Sequence, residues 1–309
     1  MAVTNATGGG SGSSLQLAVD RILIVQVMNA IFITIICLLI FTFFKKDTFK
    51  YKTRYIFFAH TLLTDCLFLI MTNNLLLLTY FKVTMPAVAC VVFCVLMSEL
   101  TFVTPLTLTA MSLERYVAIC MPLRHGELST RRRSIHCIFL IHSISAIQPM
   151  ITVSIFFASV PLSFYEQHKL CSAEILIAHN WQRHLRSAIN QLYFLIMVIT
   201  IVFTYVKIMA VAKEASSDRK KYSSKGRTTV ILHAVQLFLC LIQLWCPFTE
   251  AAILPIDLQL YIDVRFFDYI VFILAPRCLS PLVYGLRDET FFLALRHYVF
   301  CGWNYRITL

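Results

Sequence analysis

The chain has 309 residues, of which 59% are hydrophobic and only 14% are charged. Soluble domains carry about a quarter of charged residues, so these proportions exclude an ordinary soluble enzyme, and they exclude a disordered chain as well. The formal net charge is +11, but the basic residues stand in short clusters between long apolar runs, which is the pattern of loops beside a membrane. The composition predicts an all-α membrane protein that has no nucleic-acid partner.

Seven apolar stretches are long enough to cross a membrane as helices, each of which needs about 20 residues. They predict a seven-transmembrane helix bundle at 22–286, an extracellular N-terminal tail at 1–21, and a cytoplasmic amphipathic helix with a tail at 287–309. We refer to the stretches as the first to seventh predicted spans. They lie near residues 22–44, 55–80, 87–120, 134–160, 188–212, 229–253 and 264–286.

The orientation follows from the distribution of lysine and arginine, because the cytoplasmic loops of membrane proteins are enriched in both. Basic clusters follow the first, third and fifth predicted spans, at 45–54, 131–133 and 213–227. The N-terminus is therefore predicted to lie outside the cell and the C-terminus in the cytoplasm, as in a multi-pass plasma-membrane protein. In agreement, Asn5 begins a glycosylation sequon, Asn-Ala-Thr, in the predicted outer tail.

The chain after residue 287 has a different pattern. Apolar and basic residues alternate there with a helical period, which predicts a short amphipathic eighth helix on the inner membrane leaflet. Membrane lipid is thus a predicted partner of this segment. Cys301, just beyond it, is a candidate for palmitoylation, and an unmodified tail cysteine is the alternative.

The end of the third predicted span carries a recognisable motif. It reads Glu114, Arg115 and Tyr116, and the chain continues Met-Pro-Leu-Arg-His at 121–125. The triplet resembles the Glu/Asp-Arg-Tyr motif of rhodopsin-like G-protein-coupled receptors, and the longer string resembles the version found in odorant receptors.

The end of the seventh predicted span carries a second motif that points to the same receptors. It reads Ser-Pro-Leu-Val-Tyr-Gly-Leu-Arg-Asp at 280–288, after Ala-Pro-Arg at 275–277. The string resembles the Asn-Pro-x-x-Tyr motif of the same receptors, with Ser280 in place of the usual asparagine. The segment at 225–233 has lysine, serine or threonine, and histidine at a spacing that also resembles that of the odorant receptors. The resemblance covers roughly residues 54–300 and is closest to the fish-type odorant receptors.

This resemblance implies a receptor that binds a small-molecule odorant within the bundle and activates a stimulatory heterotrimeric G protein, which raises cyclic AMP. It implies a location in the cilia of olfactory neurons, and no enzymatic activity. The sequence contains no metal-ligand cluster, nucleophile elbow or phosphate-binding glycine loop that would indicate an enzyme.

The resemblance also assigns the activation switch. At rest, Glu114 is expected to pair with Arg115, and activation would free Arg115 for the G protein. Tyr205 in the fifth predicted span and Tyr284 in the seventh are the matching tyrosines. Pro281 lacks a backbone N–H and is expected to bend the seventh predicted span.

Two further features are implied by the resemblance. Cys90 and Cys171 are expected to form a disulfide, which the extracellular setting permits. In rhodopsin-like receptors the aspartate matching Asp65 helps to bind a sodium ion. Because Ser280 replaces an asparagine near that site, a structural sodium ion and a water network both remain open, and no other cofactor or metal is expected.

The family's ligand pocket lies between the outer halves of the helices. The position of the amine-binding aspartate of aminergic receptors is Met97 here, which argues against an amine ligand. Ser98 and Thr101 are the nearest polar residues of the third predicted span, and Trp245 in the sixth either lines the pocket or faces lipid.

Arg277 in the seventh predicted span is a second candidate for ligand binding, since a buried arginine in a membrane needs a carboxylate or an anionic ligand. Contact with an acidic odorant and pairing within the protein both remain open. The candidate carboxylate partners are Glu99, Glu250 and Asp268.

Two other classes of function are compatible with parts of the sequence. A rhodopsin-like receptor for a peptide or lipid ligand would share every motif and differ only in the pocket. A transporter or channel would carry several charges near the membrane midplane, broken helices or an internal repeat. The sequence contains one clear midplane carboxylate, Asp65, and no repeat, so the receptor interpretation is favoured.

Overall fold

The computed structural model describes residues 10–215, 234–236, 238–280 and 289–300. Five helices within these ranges are long and apolar enough to cross a membrane, and they correspond to the first five predicted spans. A short helix, α4 (Pro122–Leu128), connects the third of them to the next. The long helices are α1 (Gly10–Lys45), α2 (Thr53–Tyr80), α3 (Ala87–Cys120), α5 (Arg131–Ser159) and α6 (Asn180–Ala215).

The first helix begins earlier than the sequence predicts. The apolar run indicates a start near residue 22, with the extracellular tail at 1–21 before it, whereas α1 begins at Gly10. A helix lengthens readily beyond its apolar segment, because each added residue completes a backbone hydrogen bond on a turn that already exists. The hydropathy pattern marks the membrane crossing and leaves this extension undetected.

The sixth predicted span is interrupted in the part of it that the structure describes. Residues 238–242 are helical, residues 243–245 form a turn, and a new helix, α7, runs over Cys246–Ile253. Pro247 has no backbone N–H, so the carbonyl of Gln243 has no helical donor four residues further on. The proline therefore accounts for the position of the break.

The seventh predicted span begins at α8 (Leu258–Asp268), six residues before the predicted start at 264. Asp257 caps this helix, because its carboxylate accepts from the backbone N–H groups of Gln259 and Leu260 at 2.7 and 3.4 Å. A π-helical segment at Tyr269–Leu274 leads into α9 (Ala275–Ser280). The described helix ends there.

Helix α3 lies at the centre of the bundle and packs against α2, α5 and α6. Its inward face is fully buried, as at Val103 and Leu108, which are 0% exposed. Because α3 runs through the centre of the bundle, its residues reach the interior and both ends of the bundle. The candidate site is therefore arranged around α3.

The final described helix is α10 (Glu289–Phe300), which packs against α1. Phe291 is 0% exposed, and its ring lies 5.1 Å from that of Phe49 and 5.5 Å from that of Phe58, centroid to centroid. These contacts hold the start of α10 against the beginning of α2. Its position on the inner membrane leaflet stays a prediction.

Two strands cover the opposite end of the bundle. β1 (Thr84–Pro86) pairs antiparallel with β2 (His168–Leu170), with Met85 opposite Lys169. β1 runs directly into α3, and β2 belongs to the long connection between α5 and α6. The pairing therefore brings this connection to the first turn of α3.

Candidate functional site

The predicted activation switch lies at the C-terminal end of α3. Arg115 and Tyr116 are both half-buried, and the Tyr116 ring lies 5.5 Å from that of Phe203 on α6. One turn earlier, the hydroxyl groups of Ser112 and Thr204 are 2.9 Å apart. The motif is therefore held against α6, the helix that also carries the half-buried Tyr205.

The expected ion pair between Glu114 and Arg115 is not formed. The Glu114 carboxylate lies 3.4 Å from Nε2 of His125 on α4 instead. Neighbouring residues on a helix point in directions about 100° apart, so consecutive side chains do not face each other. The partner of Glu114 therefore comes from the Met-Pro-Leu-Arg-His string at 121–125, whose last residue is His125.

Several predicted residues lie outside the part of the chain that the structure describes. Ser280 is the last residue of α9, and its side chain is not described. The remaining ones are Asn5, Pro281, Tyr284 and Cys301.

A cavity of about 520 Å³ opens between the helices at the end where the two strands lie. This volume falls within the range of about 300–1,000 Å³ that is usual for small-molecule sites. Most of the exposed surface of the wall is apolar, which is typical of such sites. Nearly half of the lining residues are nevertheless polar or charged, among them Arg21, Arg186 and Arg265. The cavity can therefore enclose a small ligand.

The predicted ligand-binding residues divide into two groups. Met97, Ser98 and Thr101 line the cavity, and their contact with a ligand stays a prediction. Trp245 does not line it: the side chain is 45% exposed on the outside of the bundle. Since it directly precedes α7, the break before that helix decides the direction in which the indole points.

Arg277 is the second predicted ligand residue that the structure places elsewhere. It is 1% exposed and does not line the cavity. Its Nε lies 3.5 Å from Oδ1 of Asp65, so its carboxylate partner is none of the three candidates. Glu99 contacts His142 at 2.9 Å instead, while Glu250 and Asp268 line the cavity.

Three amide side chains of the cavity wall are absent from the residues that the sequence singles out. Gln148 on α5, Asn190 on α6 and Gln243 in the turn before α7 all line it. An amide inside an apolar run is costly to bury without a partner, and this cost is the signal that could have singled them out. They give the mainly apolar wall several hydrogen-bonding groups.

The predicted disulfide is present in the structure, between Cys90 in the first turn of α3 and Cys171 directly after β2. The Cα atoms are 5.4 Å apart, within the usual range for a bridge. Because β1 leads into α3 and pairs with β2, the strand pairing brings the two cysteines together. The Sγ of Cys94 lies 3.9 Å from each bridged sulfur.

We expect the Cys90→Ser variant to lose most of its surface display, because removing a native disulfide costs about 2–5 kcal/mol. Flow cytometry of an N-terminal epitope tag on intact cells measures this. Cys37→Ser is the matched control, since Cys37 is a free, exposed cysteine on α1. Equal display of the two variants would contradict a structural role for the bridge.

Comparison with known proteins agrees with the architecture. Residues 37–284 match the family model described as 7 transmembrane receptor (rhodopsin family). The chain is 40% identical to Odorant receptor 131-2 of Danio rerio, over 92% of this chain and 87% of that protein. It is 26% identical to human Olfactory receptor 14J1, over 84% and 81% of the two chains. It is 28% identical to Galanin receptor 2a of Danio rerio, over 65% and 55%.

The family match spans most of the chain, and it includes α3 with its Glu-Arg-Tyr triplet and the disulfide. The proteins of this family are multi-pass membrane receptors that bind a ligand and G proteins, and they are not enzymes. The similarity to an odorant receptor extends over nearly the whole length of both chains. The chain belongs to the rhodopsin family of seven-transmembrane receptors and resembles the odorant receptors of fish.

Proposed function

We propose that this protein is an odorant receptor that binds a small odorant in the cavity and activates a stimulatory olfactory G protein, which raises cyclic AMP. The observation that carries the proposal is the cavity itself, whose volume of about 520 Å³ and mainly apolar wall suit a small molecule. The 40% identity to an odorant receptor of Danio rerio supports it. The N-terminus is outside the cell, and the receptor resides in the cilia of olfactory neurons.

The mechanism is a shift of population between an inactive and an active bundle. An odorant that binds the active form more tightly moves the sixth predicted span outward and opens a cleft beside Arg115. The G protein binds there, with the basic segment at 213–227 facing it and the anionic leaflet. Tyr205 and Tyr284 then stabilise Arg115 in its active position.

The floor of the cavity offers a physical route for this shift. Phe68, Gln243 and Ile273 line the cavity, and each of them also contacts Arg277 in the layer below. A ligand that moves any of the three therefore changes the surroundings of the Arg277–Asp65 pair. That pair connects α2 with α9, so a local contact reaches the interior of the bundle.

Cyclic AMP measurements test the function directly. Cells would express this chain with an olfactory stimulatory G protein and be exposed to a panel of amino acids, bile acids, steroids and small volatiles. A dose-dependent rise in cyclic AMP is expected for one chemical class. Silence across the panel, with surface display verified, would contradict the odorant proposal.

The alternative is a receptor for a peptide ligand, which the 28% identity to a galanin receptor favours. A peptide panel in the same assay separates the two. A response to peptides alone would establish the alternative. The cavity volume favours the smaller ligands, because a space of this size accommodates one drug-sized molecule.

Filling the cavity should weaken the odorant response. We expect Met97→Trp to raise the half-maximal concentration of the active odorant at least about tenfold, which corresponds to about 1.4 kcal/mol of lost binding free energy. The added indole occupies space in the cavity, which Met97 lines. Met150→Trp is the matched control, since Met150 is 54% exposed on α5. Equal potency in the two variants would place the ligand elsewhere.

A further inference from the structure

A fully buried pair of opposite charges lies below the cavity. Asp65 on α2 is 0% exposed and Arg277 on α9 is 1% exposed, and Nε of the arginine lies 3.5 Å from Oδ1 of the aspartate. A charge inside a membrane protein is tolerated when an opposite charge and hydrogen bonds compensate for the lost hydration. The two side chains compensate for each other in this way.

The surroundings hold the guanidinium in place. Nη1 of Arg277 donates to the Gln243 side-chain oxygen at 3.2 Å and to the carbonyl of Ile273 at 3.0 Å. The guanidinium carbon lies 3.7 Å from the centre of the Phe68 ring, which is a cation–π contact. The positive charge therefore has a fixed position, set by residues from three separate segments.

The carboxylate has a second contact that fixes it. The hydroxyl of Thr104 on α3 donates to Oδ1 of Asp65 at 2.8 Å, and this is the same oxygen that faces Arg277. The negative charge thus lies at the junction of α2, α3 and α9. One arginine and one aspartate make the local charge neutral.

A sodium ion does not fit this arrangement. Small hard cations bind several oxygen atoms at short distance, and the carboxylate is the one negative group of this pair. The Arg277 guanidinium already lies beside this carboxylate. A sodium ion at either of its two oxygens would therefore sit close to a like charge in a medium of low dielectric constant. The resemblance to rhodopsin-like receptors suggested a sodium site at Asp65, and the side chains present here are unsuited to it.

We propose that Arg277 is the built-in counter-ion of Asp65, which replaces a sodium ion and makes the native bundle independent of sodium. The cation is then a covalent part of α9, and it cannot dissociate. Asp65 stays neutralised at every sodium concentration. The proposal concerns the stability of the fold and stands whether or not the receptor binds odorants.

The experiment compares sodium with a cation too large for the site. The purified full chain in detergent micelles is heated in sodium chloride and in choline chloride of equal ionic strength, and its unfolding midpoint is measured. An ion bound only by the native state raises the midpoint by mass action, by about 2–4 °C for each kcal/mol. Equal midpoints are expected here. A higher midpoint in sodium chloride would overturn the proposal.

A variant tests the replacement directly. Arg277→Ala removes the guanidinium and keeps the Thr104 contact to Asp65, so we expect it to gain a midpoint about 2–4 °C higher in sodium than in choline. Arg277→Lys keeps a cation and should stay insensitive. Arg265→Ala is the matched control, because Arg265 is an exposed arginine of α8.

Three results of these salt comparisons would decide the proposal. A folded Arg277→Ala variant with equal midpoints in both salts would contradict the replacement of an ion by this side chain. If that variant yields no folded protein, the comparison of the original chain in the two salts decides the question by itself. Sodium-dependent stability of Arg277→Lys would also count against the proposal.

Discussion

The Arg115→Ala variant should lose the cyclic AMP response while it still reaches the cell surface and binds ligand. Arg115 is half-buried near the end of α3, far along the helix from the cavity residues Met97 and Thr101. An alanine there removes a cation from the predicted G-protein cleft and leaves the cavity wall unchanged. Cyclic AMP in odorant-stimulated cells is expected to fall to the level of cells without the receptor.

Arg132→Ala provides the matched control for this loss. Arg132 is an exposed arginine in the first turn of α5, so its removal changes the charge of the same predicted membrane face without touching the motif. The control should keep its full response. An undiminished response of Arg115→Ala, at equal surface display, would remove this residue from the activation switch.

Breaking the buried ion pair should produce the largest loss of stability. Asp65→Asn or Arg277→Gln alone is expected to lower the free energy of unfolding by about 3–5 kcal/mol, because each leaves one buried charge without its partner. The double variant contains neither charge. It should regain most of this loss, since replacing both members of a buried pair is often nearly neutral.

A partly exposed pair serves as the reference for this comparison of single and double variants. Arg21 on α1 and Asp263 on α8 also form a salt bridge, with side chains 20% and 45% exposed. Neutralising either of them should cost less, about 1 kcal/mol, because water reaches both side chains and partly screens their charges. Thermal unfolding in detergent measures all variants. Additive losses at Asp65 and Arg277 would mean that the two charges do not stabilise each other.

The motif at the end of the third predicted span illustrates what the pattern of residues determines locally. The Glu-Arg-Tyr triplet places Arg115 near the end of a transmembrane helix, and α3 ends at Cys120, a few residues later. The pattern does not determine which residue Glu114 contacts. The Glu114 carboxylate contacts His125, because the turn into α4 brings that ring back to the helix.

The cavity also shows the difference between what the sequence pattern predicts and what the packing of the helices decides. The family resemblance points to Met97, with Ser98 and Thr101 as the nearest polar residues, and all three line the cavity. For Trp245 the sequence leaves open whether the side chain lines the pocket or faces lipid, and the break near Pro247 leaves it half exposed. A hydropathy pattern records how much of a helix is apolar. It does not record the rotation of a helix segment after a break.

The sequence by itself determined the membrane class, the first five helices, the disulfide through its family resemblance, and the family itself. These depend on apolar length, on charge distribution and on motifs that are contiguous in the chain. Only the tertiary structure decided that Arg277 pairs with Asp65 and lies below the cavity, when the sequence also offered Glu99, Glu250 and Asp268 as partners. The physical reason is that a buried arginine pairs with the carboxylate that helix packing brings next to it. The spacing of residues along the chain does not predict how distant segments pack.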